Sequence, residues 1–297
     1  RPLPPHKHYI ALSFFVLCVG AGRDKNPPPP RPFIAGDRGM DKAWFRKIAE
    51  RFRSPNFTCD ICGREVFDGE RVCRDCLAAL PAITLCCPLC GRRVNEAGVC
   101  LECKDRRIAA EMCRSAYVYE GEAARLVTRY KDGARYLAGT IAALMLPVLT
   151  REFADADALV PVPMTDTVKR RRGFDQVRLL AETLSALCGK PMLAAAVKQR
   201  ETASQKTLSR REREKNLAGC FHVKERAAVR GKTLLIVDDT LTTGATVHAL
   251  ADALLRAKAK KVYAITLTSV EYKYPFGLPA APEKPRRAPS AAKTQDR

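Results

Sequence analysis

The run Leu234 to Leu250, LLIVDDTLTTGATVHAL, restricts the fold more than any other part of the chain. Leu234 to Val237 form an apolar run short and β-branched enough for a buried strand, set off by Arg230, Gly231 and Lys232. The strand is expected to end at Asp238 and Asp239, after which Thr240, Leu241, Thr242, Thr243, Gly244, Ala245 and Thr246 bring hydroxyls and little bulk. Ala245, Val247, Ala249, Leu250, Ala253 and Leu254 then recur at helical spacing. A strand, an acidic turn, a small-residue loop and a helix in that order offer backbone N–H groups at a helix N-terminus, where glycine permits close approach, and this suits a phosphate. Two carboxylates would repel that phosphate, so they should face hydroxyls or a metal-bound part of the same ligand, as an acid faces a ribose diol in dinucleotide sites. An Asp-rich turn capping an ordinary helix is the plain alternative. Capping requires neither the second acid nor the repeated hydroxyls. Without Gly-Lys-Ser/Thr the segment is not a P-loop.

Eight of the 13 cysteines form C-x-x-C pairs: Cys59 with Cys62, Cys73 with Cys76, Cys87 with Cys90, and Cys100 with Cys103. Paired in chain order they make two sets of four thiolates, the tetrahedral set preferred by structural zinc. Gly63 and Gly91 follow the second cysteine of two pairs, where a knuckle needs permissive backbone. Disulfides are the alternative and require an oxidising compartment. The repeated spacing around glycine favours reduced metal ligands, and a segment so poor in large apolar groups needs its metal to fold. Two structural zinc ions are therefore expected. Cys86 abuts Cys87 and offers a competing register. Arg64, Arg71, Arg74, Arg92 and Arg93 decorate the knuckles and suit an anionic partner, while many such modules only stabilise a neighbouring domain.

With 52 Lys plus Arg against 32 Asp plus Glu, the net charge of +20 permits attraction to nucleic acid and polyphosphates without choosing between them. Tyr9 to Gly22 falls short of the roughly 18 apolar residues of a membrane span, so no membrane association is expected of the mature core. Residues 1–40 read as a non-globular leader or upstream segment, 41–56 as an amphipathic helix, 57–106 as the double zinc ribbon, 112–272 as an α/β domain and 273–297 as a disordered tail. Within the α/β domain, 116–120 and 158–163 read as strands, the second stopped by Pro161 and Pro163. Lys169 to Arg172 form a cationic loop feeding a helix whose core face holds Val177, Leu180, Ala181, Leu184 and Leu187. Four cations in a row ordinarily make a solvated loop, but Gly173, Phe174, Asp175 and Gln176 directly afterwards suggest a constrained turn, whose cations would offset the charge of an anionic ligand. The polar stretch from Gln199 to Phe221 is long for a connector and reads as a lid or as a solvated Arg-Glu helix.

LLIVDDTLTTGAT closely resembles the 5-phosphoribosyl-1-pyrophosphate (PRPP) motif of type I phosphoribosyltransferases. Taken with the cysteine pairs, YKDGARYLA, LVPVP, RRRGFDQVRLLAETL and the Gln205 to Asn216 pattern, the chain resembles the ComF family from about Cys59 to Thr268. The resemblance implies a type I phosphoribosyltransferase fold, a parallel sheet flanked by helices, behind an N-terminal double zinc ribbon. It implies that Asp238 and Asp239 hold the ribose diol, that Thr240 to Thr246 hold the 5-phosphate, and that Mg²⁺ bridges diphosphate and ribose oxygens. Pro161, Val162 and Pro163 match the strand end that shapes the pyrophosphate loop, and Lys131, Arg170, Arg172, Gln176, Gln205, Arg211 and Arg213 match polar contacts to the anionic ligand. The chain departs from the pattern at Asp132, Asp175 and Thr240, where an aromatic residue, Asn and Val are usual.

Two functions follow from the resemblance. One is a cytoplasmic phosphoribosyltransferase-domain protein binding PRPP or a related ribose 5-phosphate with Mg²⁺ and acting in DNA uptake; as an enzyme it would displace pyrophosphate from C1 of the ribose. The other is a non-catalytic accessory that binds single-stranded DNA or a competence helicase. Phe174 is the main aromatic near the basic segments, a weak footprint for base stacking. The sequence names neither an acceptor, a catalytic residue nor an oligomeric state.

Overall fold

The computed structural model describes residues 58–67, 70–104, 108–199, 217 and 219–271. The expected leader, the helix over 41–56, the tail over 273–297, and Gln205, Arg211 and Arg213 lie outside the described residues. In chain order, the cysteine-rich segment carries α1 (Arg74–Ala79) and α2 (Leu101–Lys104). It is followed by β1 (Met112–Val118), α3 (Gly121–Lys131), a 3₁₀ turn at Arg135–Leu137, α4 (Ala138–Glu152), β2 (Ala158–Pro161), α5 (Asp166–Arg172) and α6 (Gln176–Cys188). The rest comprises β3 (Ala196–Lys198), β4 (Phe221–Val223), α7 (Arg226–Val229), β5 (Thr233–Leu241), α8 (Ala245–Arg256) and β6 (Lys261–Ser269).

Alternation along β5 sets the layers. Successive strand residues face opposite sides, and a parallel sheet needs cover on both. Leu234 and Ile236 pack in one core with Val247, Leu250 and Leu254 of α8. Leu235 and Val237 pack in the other with Leu126 of α3, Ile141 of α4 and Leu180 of α6. The sheet has the order β1-β6-β5-β2, all parallel, with Leu235 registered between Tyr263 and Leu159. β3 and β4 form a separate antiparallel pair with Ala196 opposite Val223, a pair too short to be seen as alternation in the sequence. Among the described residues no helix is long and apolar enough to cross a membrane.

Three local expectations are corrected. β5 does not stop at the acids but continues to Leu241, pairing Asp238 with Thr266 and Thr240 with Thr268. The reason is β6, whose hydroxyls make a polar strand end: Ser115 and Thr266 lie 2.7 Å apart, Thr268 and Thr240 3.2 Å. Lys169 to Arg172 belong to the short helix α5 rather than a loop. Asp166 in its first turn and the cations in its last complement the helix dipole, and Gly173 at φ +74° ends it. Leu187, expected on the buried face of α6, is exposed, whereas Val177, Leu180, Ala181 and Leu184 are buried.

Candidate ligand-binding site

Strand parity turns Asp239 toward the side of Leu235 and Val237, the side covered by α3 and α6. There the Lys131 ammonium lies 2.8 Å from its Oδ1, and Gln176 Nε2 donates to its Oδ2. Lys131 also donates to Thr240 Oγ1 at 3.3 Å. Tyr130, fully buried, donates its hydroxyl to the Gln176 carbonyl at 2.6 Å and so ties α3 to the start of α6. Burial holds that hydroxyl above the ordinary phenol range, which keeps it a donor. Gln176 Oε1 is buried without a hydrogen-bond partner among the described residues. Asp238 is half-buried, and its Oδ1 accepts the Asp239 amide at 2.8 Å. Burial first, and the Asp239 carboxylate second, push the Asp238 carboxyl up to about 7, against the opposing amide and the charges of Lys131 and Arg172. Lys131, Gln176, Asp239 and Thr240 thus meet at one strand end; Tyr130 was missed because an apolar ring in a helix reads as core.

The loop beyond this end is short. Thr240 and Leu241 remain in β5, Thr242 to Gly244 make the turn, and Ala245 and Thr246 open α8. Gly244 sits at φ +75°, and a Cβ there would stand 3.2 Å from His248 Nε2, so the position calls for glycine. Thr243 Oγ1 accepts the Ala245 amide at 3.3 Å. The twelve-residue α8 thus opens three residues beyond the end of β5, and free N–H groups at a helix N-terminus are able to bind an anion.

Pro161, Val162 and Pro163 line a neighbouring cavity of about 630 Å³ that is also bordered by Lys169, Lys198 and Lys224. Arg170 is exposed and Arg172 half-buried on α5. Asp175, where Asn is usual, caps α6 by accepting the Arg178 amide at 3.1 Å and lies 3.5 Å from Lys169. Its charge therefore has local partners. Asp132 is exposed at the end of α3. Phe174 packs edge-on against Tyr130 with centroids 5.5 Å apart, and the Arg135 guanidinium lies 5.0 Å from its ring. These contacts, invisible in the sequence, employ the ring that was the main candidate for base stacking.

The eight paired cysteines gather as expected into Cys59, Cys62, Cys73 and Cys76, and Cys87, Cys90, Cys100 and Cys103, each set with its sulfurs within 4.8 Å. Cys62 and Cys73 Sγ are 3.8 Å apart, and Cys90 and Cys100 Sγ 3.7 Å. A tetrahedron with Zn–S of about 2.3 Å has edges of about 3.8 Å, so both sets fit zinc. The Cys73 and Cys100 amides approach Cys59 and Cys87 Sγ at 3.3 and 3.4 Å, as donors to a thiolate would. Cys86 stands outside the clusters, bridged to Arg93.

Both knuckles are docked on the sheet domain. In the first, Thr140 of α4 donates to the buried Asp60 carboxylate, and Arg129 of α3 donates to the Asp60 carbonyl at 2.6 Å. In the second, Leu89 O accepts the Cys113 amide of β1 at 2.8 Å, and Gly91, at φ +71°, lies so close that a Cβ would come 2.3 Å from Cys113 O. Four of the five knuckle arginines that suit an anionic partner have partners within the chain, while Arg74 is exposed on α1. Arg64 pairs with Asp75 at 2.9 Å, and Arg71 lies 3.7 Å from Asp60. Arg93 bonds Glu271 at 2.6 Å, and buried Arg92 bonds Glu102 at 2.7 Å while its other amino group donates to Thr242 O of the loop. A basic residue after a knuckle glycine reads as solvated until a contact 150 residues away is seen.

The phosphoribosyl transferase domain family matches residues 132–276. Competence protein ComFC of Bacillus subtilis strain 168 is 29% identical over 224 residues, 71% of this chain and 90% of its own length. DNA utilization protein YhgH of Escherichia coli strain K12 is 31% identical over 216 residues, 69% of this chain and 93% of its own length. Among solved structures, the glutamine PRPP amidotransferase of B. subtilis superposes with a TM-score of 0.30 at 24% identity, over 45% of this chain and 26% of that one.

Proposed function

This chain belongs to the ComF family, with ComFC and YhgH, and on that premise we propose that the end of β5 binds PRPP or a related ribose 5-phosphate together with Mg²⁺ in the service of DNA uptake. The observation that carries the reading is the sequence of groups along one strand end: Asp238, Asp239, the turn at Thr242 to Gly244, and the N-terminus of α8. Asp239, oriented by Lys131 and Gln176, accepts a ribose hydroxyl, and the orphaned Gln176 Oε1 is an acceptor for a second donor beside it. Asp238 completes the diol pair once ionised, which a cationic neighbour favours. Thr240 to Thr246 hold the 5-phosphate with hydroxyls and helix amides. Mg²⁺, when bound, offsets diphosphate charge, and the high proton affinity of Asp238 fits a site made for such a cation. Pro161, Val162 and Pro163 shape the adjoining loop, and Arg170 and Arg172 on α5 face the task of screening the pyrophosphate. Gln205, Arg211 and Arg213 are proposed as further contacts on family resemblance alone. Zinc in the two cysteine sets holds the module that braces this domain.

The printed names of the relatives, a competence protein and a DNA utilization protein, support a role with incoming DNA, and the net charge of +20 supports a reading in which the strand or a helicase is the partner and the ribose-phosphate site acts as a sensor. The cytoplasm is the compartment that suits reduced cysteines. Calorimetric titration of PRPP with Mg²⁺ tests the site. Binding by the native protein and loss of the heat in the Asp238→Asn, Asp239→Asn double variant are expected. Unchanged affinity in the double variant would remove the diol role. Release of pyrophosphate in the presence of an acceptor separates the enzyme from the sensor.

A further inference from the structure

We propose that Arg92 is a positioning residue for the phosphate loop, through which the second four-cysteine knuckle sets the direction of the Thr242–Thr243 peptide. The inference rests on the reading of Thr240 to Thr246 as a phosphate cradle. Arg92 follows Cys90 and Gly91, and its side chain is buried despite its charge. One amino group bonds Glu102, which stands between Cys100 and Cys103 of the same cysteine set, at 2.7 Å. The other donates to the carbonyl of Thr242, and Nε is buried with no hydrogen-bond partner among the described residues. A guanidinium kept in such surroundings with one donor unpaired costs stability, so its placement calls for a reason.

Peptide geometry supplies one. No peptide bond among the described residues is cis, and in a planar trans peptide the carbonyl and the following N–H point in opposite directions. Holding the Thr242 carbonyl on the Arg92 side therefore directs the Thr243 N–H away from the cysteine module. It also removes a carbonyl dipole from the anion side of the turn, where its negative end would oppose a phosphate. The fork of arginine matters, since one planar group must reach Glu102 and Thr242 together. Gly91 fixes the origin of the side chain by packing on the backbone of β1 with no room for a Cβ. The path from cysteine set to loop is thus one buried side chain between two rigid supports.

The test compares the zinc-loaded full chain with Arg92→Lys and Glu102→Gln. Native mass spectrometry first confirms that each retains its zinc. Hydrogen exchange without ligand should then rise about tenfold across the amides of 240–247 in Arg92→Lys, about the loss expected for one charge-assisted hydrogen bond, while β6 and α4 keep native exchange. A role in stability alone would raise exchange throughout the sheet. PRPP affinity should fall by about the same tenfold factor. If Arg92→Lys loses zinc, Glu102→Gln, which frees one end of the fork, carries the same measurement with a smaller rise. Native exchange at 240–247 in a zinc-retaining variant overturns the proposal, as does a uniform rise. If the native chain binds no PRPP while loop exchange still responds, the ribose-phosphate reading fails and the positioning role of Arg92 stands.

Discussion

Asp238→Asn should stabilise the ligand-free protein at neutral pH, by an amount that grows with pH. The unfolded chain loses the Asp238 proton near 3.8 and the folded chain near 7. Between those values folding takes up a proton, so the native contribution of this residue is fully favourable below 3.8 and is lost as the pH rises through 7. Its cause is burial, then the adjacent Asp239. Asparagine keeps the oxygen that accepts the Asp239 amide and has no proton to lose. The interval from 3.8 to about 7 would correspond to at most about 4 kcal/mol. Partial exposure and sharing of charge with Asp239 reduce the expected gain to about 1–2 kcal/mol, or about 2–8 °C in melting temperature. The assay is thermal unfolding of zinc-loaded native and variant proteins from pH 5 to 8.5 at constant ionic strength, read as the difference between them, in which acid release of zinc cancels. The gap should widen up to about pH 7 and then level off. A flat difference, or a variant less stable than the native protein at pH 8, would refute the electrostatic account of the site. The same variant should bind PRPP with Mg²⁺ more weakly, so that stability and function move in opposite directions.

Lys131→Met removes the cation 2.8 Å from buried Asp239 and should cost about 1–3 kcal/mol at pH 7 by chemical denaturation; no loss would mean that Gln176 suffices to hold the carboxylate. Gly244→Ala places a Cβ at φ +75° and 3.2 Å from His248 Nε2, and should lower stability by about 1–2 kcal/mol, with a matching weakening of PRPP binding seen by calorimetry. Thr140→Val takes the hydroxyl donor from buried Asp60 and should cost about 1–3 kcal/mol with two zinc ions retained, measured by denaturation and metal analysis; zinc loss instead would show that this contact maintains the first knuckle itself.

Short-range chemistry was legible from residue order. The C-x-x-C spacing selects which thiolates meet, because a knuckle closes within a few residues, and the structure gathers the two expected sets. The apolar run of β5 predicts a buried strand because hydrocarbon is placed inside wherever the chain allows it. Residue order did not reveal where that strand ends, since Thr266 and Thr268 on β6 extend the pairing past the acids. Nor did it reveal that Lys169 to Arg172 close a helix. The partners of charged side chains were the least legible. Arg92 and Arg93 read as decoration on the knuckle surface because a charge with no neighbour in the sequence is ordinarily in water. The sequence alone determined the cysteine sets, the buried strand and the order of acids, hydroxyls and helix. Only the tertiary structure decided that Lys131 and Gln176 meet Asp239, and that Arg92 reaches Thr242, because long side chains find their partners across elements that only packing of the whole sheet domain brings together.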